Sequence, residues 1–430
     1  MEYKLEPIGD SLYIKGRIGW KGLKKSEYLE SGEYRIINGK ALTSNGIDWN
    51  ECGFISKERY EESPEIMLET NDIVITKDGT IGKVDIIKSL DKPTTVASGL
   101  FVLRNSNPEE FNTMFIYYFL KSPIFKQFIE VRKEGSVIPH LYQKDFVELE
   151  IPKFNINNQK LIANILCSID NKIDNNKQII KNLEELSQTL FKHWFVDFEF
   201  PDEDGEPYKS NGGEMIDSEL GKIPKNWEIK SLKDFIEIID NRGKTPPLDK
   251  KSKKYPIIDV KALSGISRII DYEKCSKFVS EDTYNNWFRN GHPKRGDILL
   301  STVGSIGEIK MFHYDIGTIA QNVVALRSKN PYFTYDLINK IKSLFLTYNI
   351  GSVQPSIKIT HINKIKVIYP LEKTIESYEE KIKKYIDFIF LKSSENKKLI
   401  TLRDTILPKL MSGEIEIPDD VEVNTDELSI

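Results

Sequence analysis

Cysteine is scarce in this 430-residue chain. Cys52, Cys167 and Cys275 are too few and too scattered for a disulfide framework or a zinc knuckle, which points to a reducing cytoplasm. Histidine is nearly as sparse, and His140, His193, His292, His313 and His361 stand too far apart to form an H-x-x-x-H or H-E-x-x-H metal pair. No apolar run approaches the ~18 residues that cross a bilayer, so no membrane role is expected. The first residues, Met1-Glu2-Tyr3-Lys4-Leu5-Glu6-Pro7, lack a basic segment followed by an apolar one, and no secretory signal is expected.

Catalytic signatures are missing as well. Gly79-Thr80-Ile81-Gly82-Lys83-Val84 lacks the G-x-x-x-x-G-K-[ST] spacing of a phosphate loop, and its later twin, Gly304 to Ile309, carries Glu308 where the lysine would be. Both read as structural turns whose glycines supply positive φ. Asn330-Pro331-Tyr332-Phe333 is one proline short of an N-P-P-[YF] motif and no glycine-rich loop precedes it. Pro201-Asp202 lies in an acidic segment rather than on a strand, and no serine sits in a G-x-S-x-G elbow. These absences leave no positive sign of a catalytic or metal centre, while an active site built from scattered residues stays open.

What is present is a long internal repeat. Asn71-Asp72-Ile73-Val74-Ile75-Thr76-Lys77-Asp78-Gly79-Thr80-Ile81-Gly82 returns as Gly296-Asp297-Ile298-Leu299-Leu300-Ser301-Thr302-Val303-Gly304-Ser305-Ile306-Gly307. Asp72 thus maps to Asp297, 225 residues on, and a matching strand follows each copy, Thr94 to Arg104 and Gly317 to Arg327. Phe54-Ile55-Ser56 and Tyr60 answer Phe278-Val279-Ser280 and Tyr284, and Gly135-Ser136-Val137 with Pro139 answers Gly351-Ser352-Val353 with Pro355. A period this long marks a duplicated domain, since solenoid units repeat every ~20 to 50 residues. Short β-branched runs bounded by Gly and Asp, with helical stretches such as Phe111 to Phe128 between them, predict an α+β class for each copy.

After each copy the apolar period changes from 2 to 3.5. One seam runs through Ile162, Leu166, Ile169, Ile173, Asn176, Ile180, Leu183, Ser187, Leu190 and Trp194. The other runs through Ile375, Tyr378, Ile382, Tyr385, Ile389, Lys392, Asn396, Leu399, Arg403, Ile406 and Leu410. Two heptad helices in one chain predict an antiparallel coiled coil, with Asn176, Lys392 and Asn396 costing stability while setting register. If they pair in this way, the globular domains are expected at opposite ends of a rod. The resulting order is a first domain at 1–155, a helix at 156–196, a flexible acidic linker at 197–222, a second domain at 223–372, a helix at 373–412 and an acidic tail at 413–430. Gly413 is a plausible end cap for the second helix.

A net charge of −4 looks wrong for a nucleic-acid binder until the charge is located. Asp197 to Glu206 holds six acidic residues and Ser412 to Ile430 seven, with no basic residue in either; setting those thirteen aside leaves +9 on the rest. Lys230 to Lys310 carries 16 Lys and Arg against 11 Asp and Glu, concentrated in Arg242, Lys244 and Lys250-Lys251-Ser252-Lys253-Lys254. Such a patch is compatible with phosphate contact and equally with a solvated loop.

Duplicated α+β domains alternating with heptad helices resemble the specificity subunit of type I restriction-modification systems. The residues that carry the resemblance are Asp217 to Glu228 (DSELGKIPKNWE) at the entry to the second domain and the helix ends Leu190 to Phe198 (LFKHWFVDF) and Leu407 to Ile415 (LPKLMSGEI). The resemblance covers essentially the whole chain. It implies a non-catalytic subunit whose two target-recognition domains each read one half of a split sequence in double-stranded DNA. The helices would space the domains and dock two DNA adenine methyltransferase subunits, with translocase-nuclease subunits completing the restricting complex. S-adenosylmethionine, ATP and Mg2+ would then sit on those partners.

Within the first domain the favoured DNA contact is the glycine-flexed loop Gly16 to Lys25, with Arg17, Trp20, Lys21, Lys24 and Lys25; Trp20 suits a local core equally well. Asn241 to Pro247 occupies the corresponding place in the second domain, with Arg242 and Lys244 as candidates beside Lys253 and Lys254. Arg17 and Arg242 are the candidates for bidentate guanine contacts or phosphate clamps. Lys77 and Thr302, in the repeat turns, are further candidates, and if the first loop faces solvent the contacts should lie around Lys77 and Lys83. Two rival readings remain at this stage. One is a stand-alone DNA methyltransferase or nuclease, and the other a two-headed non-DNA binding protein on a coiled-coil stalk.

Overall fold

The structure is a computed structural model that describes residues 4–43, 46–132, 140–241, 243, 245–251, 253–265, 267–351 and 354–415. The chain divides into two compact units, one of Met1–Ile173 with Lys397–Ile430 and the other of Asp174–Asn396. Each unit therefore holds one copy of the repeat and a part of both long helices, Ile156–Phe195 and Glu372–Met411. No helix among the described residues is long and apolar enough to cross a membrane.

The first unit is built on a four-stranded antiparallel sheet ordered Leu12–Gly16, Leu100–Asn105, Ile73–Thr76, Val84–Ile86. Beside it lies a three-stranded sheet in which Tyr34–Ile37 runs antiparallel to Gly53–Ile55 and parallel to Thr94–Val96. The second unit repeats this topology strand for strand. Glu237–Ile239, Val323–Arg327, Ile298–Ser301 and Ile309–Met311 form the four-stranded sheet, and Phe278–Val279, Tyr255–Ile258 and Thr318–Ile319 the other. The central strands Ile73–Thr76 and Ile298–Ser301 are buried along their whole length, which explains their continuous apolar runs in place of alternation.

Both copies lock this sheet with the same ion pair. Asp72 accepts from Arg104 Nε (2.7 Å) and from the Glu69 N–H (2.8 Å); Asp297 accepts from Arg327 Nε (3.0 Å) and from the Lys294 N–H (2.8 Å). The turns that follow are also built alike. The Lys83 N–H donates to Thr76 Oγ1 in one and the Glu308 N–H to Ser301 Oγ in the other. Gly82 sits at φ 85° and Gly307 at φ 90°, and a Cβ on Gly82 would lie 2.5 Å from Ile129 Cδ1. The glycines thus serve the turns, as their spacing predicts.

The long helices run antiparallel in each unit. In the first, Ile162 and Leu166 share a core with Leu407, Leu410 and Met411, and Asp170 accepts from Arg403 Nη1 (2.7 Å) and from the Tyr118 hydroxyl (3.0 Å). In the second, Asn176 Nδ2 donates to Asn396 Oδ1 (2.9 Å), while the Tyr378 ring packs against Phe191, Trp194 and Phe195. Fully buried Asn176 therefore has the polar seam partner that its position calls for.

The acidic segment after the first helix is not the flexible linker its composition suggests. Phe200 stacks on Tyr208 (4.6 Å) and Trp227 (4.9 Å), and Phe195 and Phe198 close on the same indole. Asp202 accepts from the N–H groups of Asp204 and Glu206, and Met215–Ser218 pairs with Gly221–Pro224 as a hairpin. Three phenylalanines and one tryptophan outweigh the surrounding carboxylates, which stay in water at the turns. Beyond it, Gly413 takes φ 67° just past the second helix, and residues 416–430 of the acidic tail lie outside the described residues.

A buried ion network joins four elements of the second unit. Arg268, with 0% of its surface exposed, donates from Nε to Glu184 (2.8 Å) and from Nη2 to Ser187 Oγ (2.9 Å), and its Nη2 lies 3.5 Å from Asp336. Asp336 in turn accepts from the Tyr378 hydroxyl (2.8 Å). Arg268→Ala leaves two carboxylates buried without their cation and is expected to cost about 3 to 5 kcal/mol, read as a lowered urea midpoint. A loss under ~1 kcal/mol would show that water replaces the guanidinium.

Burial pushes the nearby Glu379 carboxyl up to about 7, despite a hydrogen bond from the Phe333 N–H (2.7 Å). The folded value lies above the unfolded one, so the folded state holds this proton more tightly. The resulting stability is full below about pH 4 and is lost as pH rises through about 7. Glu379→Gln keeps the acceptor and should remove this part of the decline in urea unfolding between about pH 5 and 8. An unchanged pH slope would refute the assignment.

Candidate nucleic-acid interface

The loop Gly16 to Lys25 leaves the end of an edge strand, where Gly16 still pairs with Phe101. That placement turns the next side chain inward. Arg17 is 2% exposed, and its guanidinium donates to Val96 O (3.3 Å) and Ser63 Oγ (3.4 Å). Arg17 therefore does not present itself to a guanine edge, contrary to the sequence reading; it fastens the loop to the body. A second arginine completes the clamp, with Arg59 Nη2 donating to Lys21 O (3.1 Å) and Gly22 O (3.2 Å). Burial, and then the neighbouring Arg59 charge, lower the pKa of Arg17.

The lysines of this loop divide. Lys21 turns back and donates to Glu62 O (2.6 Å), whereas Lys24 and Lys25 are exposed. The Lys24 N–H is held by Glu27 (2.6 Å), so the backbone beneath these two ammonium groups is fixed. Trp20 lies in the short 3-10 turn Gly19–Lys21, and its side chain lies outside the described residues.

In the repeat turns, Lys77 is half-buried with Nζ 4.7 Å over the Phe101 ring. Thr302 is fully buried and donates its N–H to Asn322 O (2.8 Å), which removes it as a contact residue. Lys77 makes the equivalent backbone bridge, its N–H donating to Gly99 O (2.9 Å), so the two positions differ in their side chains, the threonine buried and the lysine lying over a ring. Arg242 and Lys244 lie outside the described residues. Lys253 and Lys254 are exposed, with Lys254 Nζ 5.0 Å over the Tyr255 ring and 3.9 Å from Glu281.

Between the repeat turn and the turn after Tyr34–Ile37 lies an open cavity of about 460 Å³, lined in part by Tyr28, Lys40, Asp78 and Thr80. None of these four was a candidate from sequence. A signal did exist, because Lys40-Ala41-Leu42 recurs as Lys261-Ala262-Leu263 at the same place in the second copy. Among the described residues, no group of three or more His, Cys, Asp or Glu is placed to hold a metal ion.

Known proteins agree with this duplicated architecture. The family model described as type I restriction modification DNA specificity domain matches twice, at residues 7–185 and 224–402. The chain is 26% identical over 376 residues to the type I restriction enzyme MjaIX specificity subunit of Methanocaldococcus jannaschii, spanning 85% of this chain and 82% of that one. It is 25% identical over 316 residues to the HindI specificity subunit of Haemophilus influenzae, spanning 60% and 67%. The crystal structure of a type I restriction-modification S subunit from M. genitalium matches at a TM-score of 0.56 and 19% identity, covering 98% of this chain and 97% of that one, and so shares the fold. With both copies of the repeat inside matched segments, the chain belongs to the type I restriction-modification DNA specificity family.

Proposed function

We propose that this chain is the specificity subunit of a type I restriction-modification complex and reads a bipartite DNA sequence, one recognition domain to each half-site. The observation that carries this reading is one topology built twice, with the same Asp–Arg lock and with different residues on the exposed turns. Equivalent scaffolds approach equivalent stretches of duplex, and unequal side chains select unequal bases. The half-sites should therefore differ in sequence.

In this reading the chain supplies no chemistry of its own. The long helices dock two DNA adenine methyltransferase subunits, and translocase-nuclease subunits join to restrict unmodified DNA in the cytoplasm. S-adenosylmethionine belongs to the methyltransferases, and ATP and Mg2+ to the translocase-nuclease. Affinity comes from lysines on phosphates, for which exposed Lys24 and Lys25 stand on a clamped loop and Lys253 and Lys254 on the second domain. Arg242 and Lys244 remain candidates for the second half-site.

Replacing residues 223–372 with the equivalent part of a relative should change one half of the methylated sequence, as read by mapping methylated adenines in host DNA. A simultaneous change in both halves would break the independent-domain model. Changing Lys24 and Lys25 to alanine should weaken binding to all sequences alike and lower the slope of log affinity against log salt by roughly 0.9 per lost contact. If titrations at several salt concentrations give the wild-type slope, those two ammonium groups face solvent in the complex.

A further inference from the structure

Duplication supplies a test that a single domain cannot. An exposed side chain kept in both copies serves what the two half-sites have in common, the phosphate backbone; an exposed side chain that differs on an unchanged backbone serves what they do not share, the bases. Resting on the reading above, we propose that the cavity of the first domain seats its half-site, with Lys40 on a backbone phosphate and the Asp78 carboxylate on an exocyclic amino group of a base.

The kept residue is the lysine. Tyr34–Ile37 and Tyr255–Ile258 occupy the same place in the two folds, and each is followed by a side-chain-capped turn. Asn38 Oδ1 accepts from the Lys40 N–H (2.8 Å), and Asp259 Oδ1 accepts from the Lys261 N–H (3.0 Å). Ala41, Leu42, Ala262 and Leu263 are each 0% exposed, so the core accounts for their retention. It does not account for Lys40 or Lys261, which are both exposed and meet no carboxylate among the described residues. Lys83 Nζ lies 3.5 Å from Gly39 O, which adds a second cation beside the same turn.

The changed residue is Asp78. It forms an antiparallel backbone bridge with His140, and the equivalent bridge in the second copy joins Val303 to Ser356. The backbone is therefore conserved while a carboxylate becomes an isopropyl group. His140 Nδ1 pairs with Asp78 Oδ1, which leaves Oδ2 to accept from another donor. With its side chain 41% exposed at the cavity, Asp78 is reachable. A carboxylate accepts from the N4 amino group of cytosine or, by the same chemistry, from N6 of adenine; an apolar side chain at that position suits a thymine methyl.

The test uses the full chain in its host and in the assembled methyltransferase complex. Asp78→Asn, and Asp78→Val with the residue the second copy already carries, should relax one base pair of the first half-site by about 5- to 150-fold in binding and in the mapped methylation sequence. The second half-site should stay as in the wild type. Lys40→Ala should weaken binding to every sequence and lower the salt slope by roughly 0.9, with Lys40→Arg restoring it. Wild-type discrimination at every base pair in both Asp78 variants would overturn the base-reading assignment, and an unchanged slope in Lys40→Ala the phosphate assignment. A wild-type complex lacking sequence preference would instead defeat the parent reading, so the two failures are distinct.

Discussion

The carboxylate at Asp72, and again at Asp297, is the constraint on which each recognition domain depends. At 1% and 2% exposure these two groups are almost completely out of water, yet each is bonded by the arginine at the far end of the neighbouring strand and by a backbone N–H of its own turn. One carboxylate thereby sets the register between two central strands and the start of the second. A slip of one residue would turn every buried side chain of Ile73–Thr76 to the opposite face, so this register also decides which residues the following turn displays. The exposed side chains of the turn can then vary between copies, while its glycines and backbone hydrogen bonds stay the same.

A second constraint ties each globular part to the long helices, and the two copies meet it with exchanged partners. In the first unit a tyrosine of the globular part, Tyr118, donates to Asp170 on a long helix, which also receives Arg403. In the second, a carboxylate of the globular part, Asp336, accepts from Tyr378 on a long helix and neighbours Arg268. A tyrosyl hydroxyl, a carboxylate and a guanidinium meet in both, the carboxylate being half-buried in the first and buried in the second. The duplication has kept the chemistry of the junction while trading the identities of its members, as buried charges allow when every one remains paired.

Rigid attachment bears directly on reading DNA. The basic loop of the first domain has glycines at 16, 19 and 22, yet Arg17 and Arg59 hold it to the body from inside and from behind. Two arginines are thus spent on positioning, and the work of contact passes to lysines at the surface. This arrangement limits the ordering cost that a mobile loop would incur on binding.

The sequence by itself determined the duplication, the α+β class, the heptad seams, the structural role of the turn glycines and the family resemblance. Each of these rests on periodicity or on local backbone chemistry, which a linear string preserves. The tertiary structure alone decided which charged side chains face water. Arg17 looks like a loop cation until the strand before it pairs with Leu100–Asn105 and turns it inward, and Thr302 matches Lys77 in the repeat and in its backbone bridge, yet its side chain is buried. The acidic stretch after the first helix reads as a linker because composition does not reveal that Phe198 and Phe200 meet Trp227. Lys40 and Asp78, nearly 40 positions apart, become neighbours around one cavity only in the folded domain, through strand pairings that no local pattern encodes.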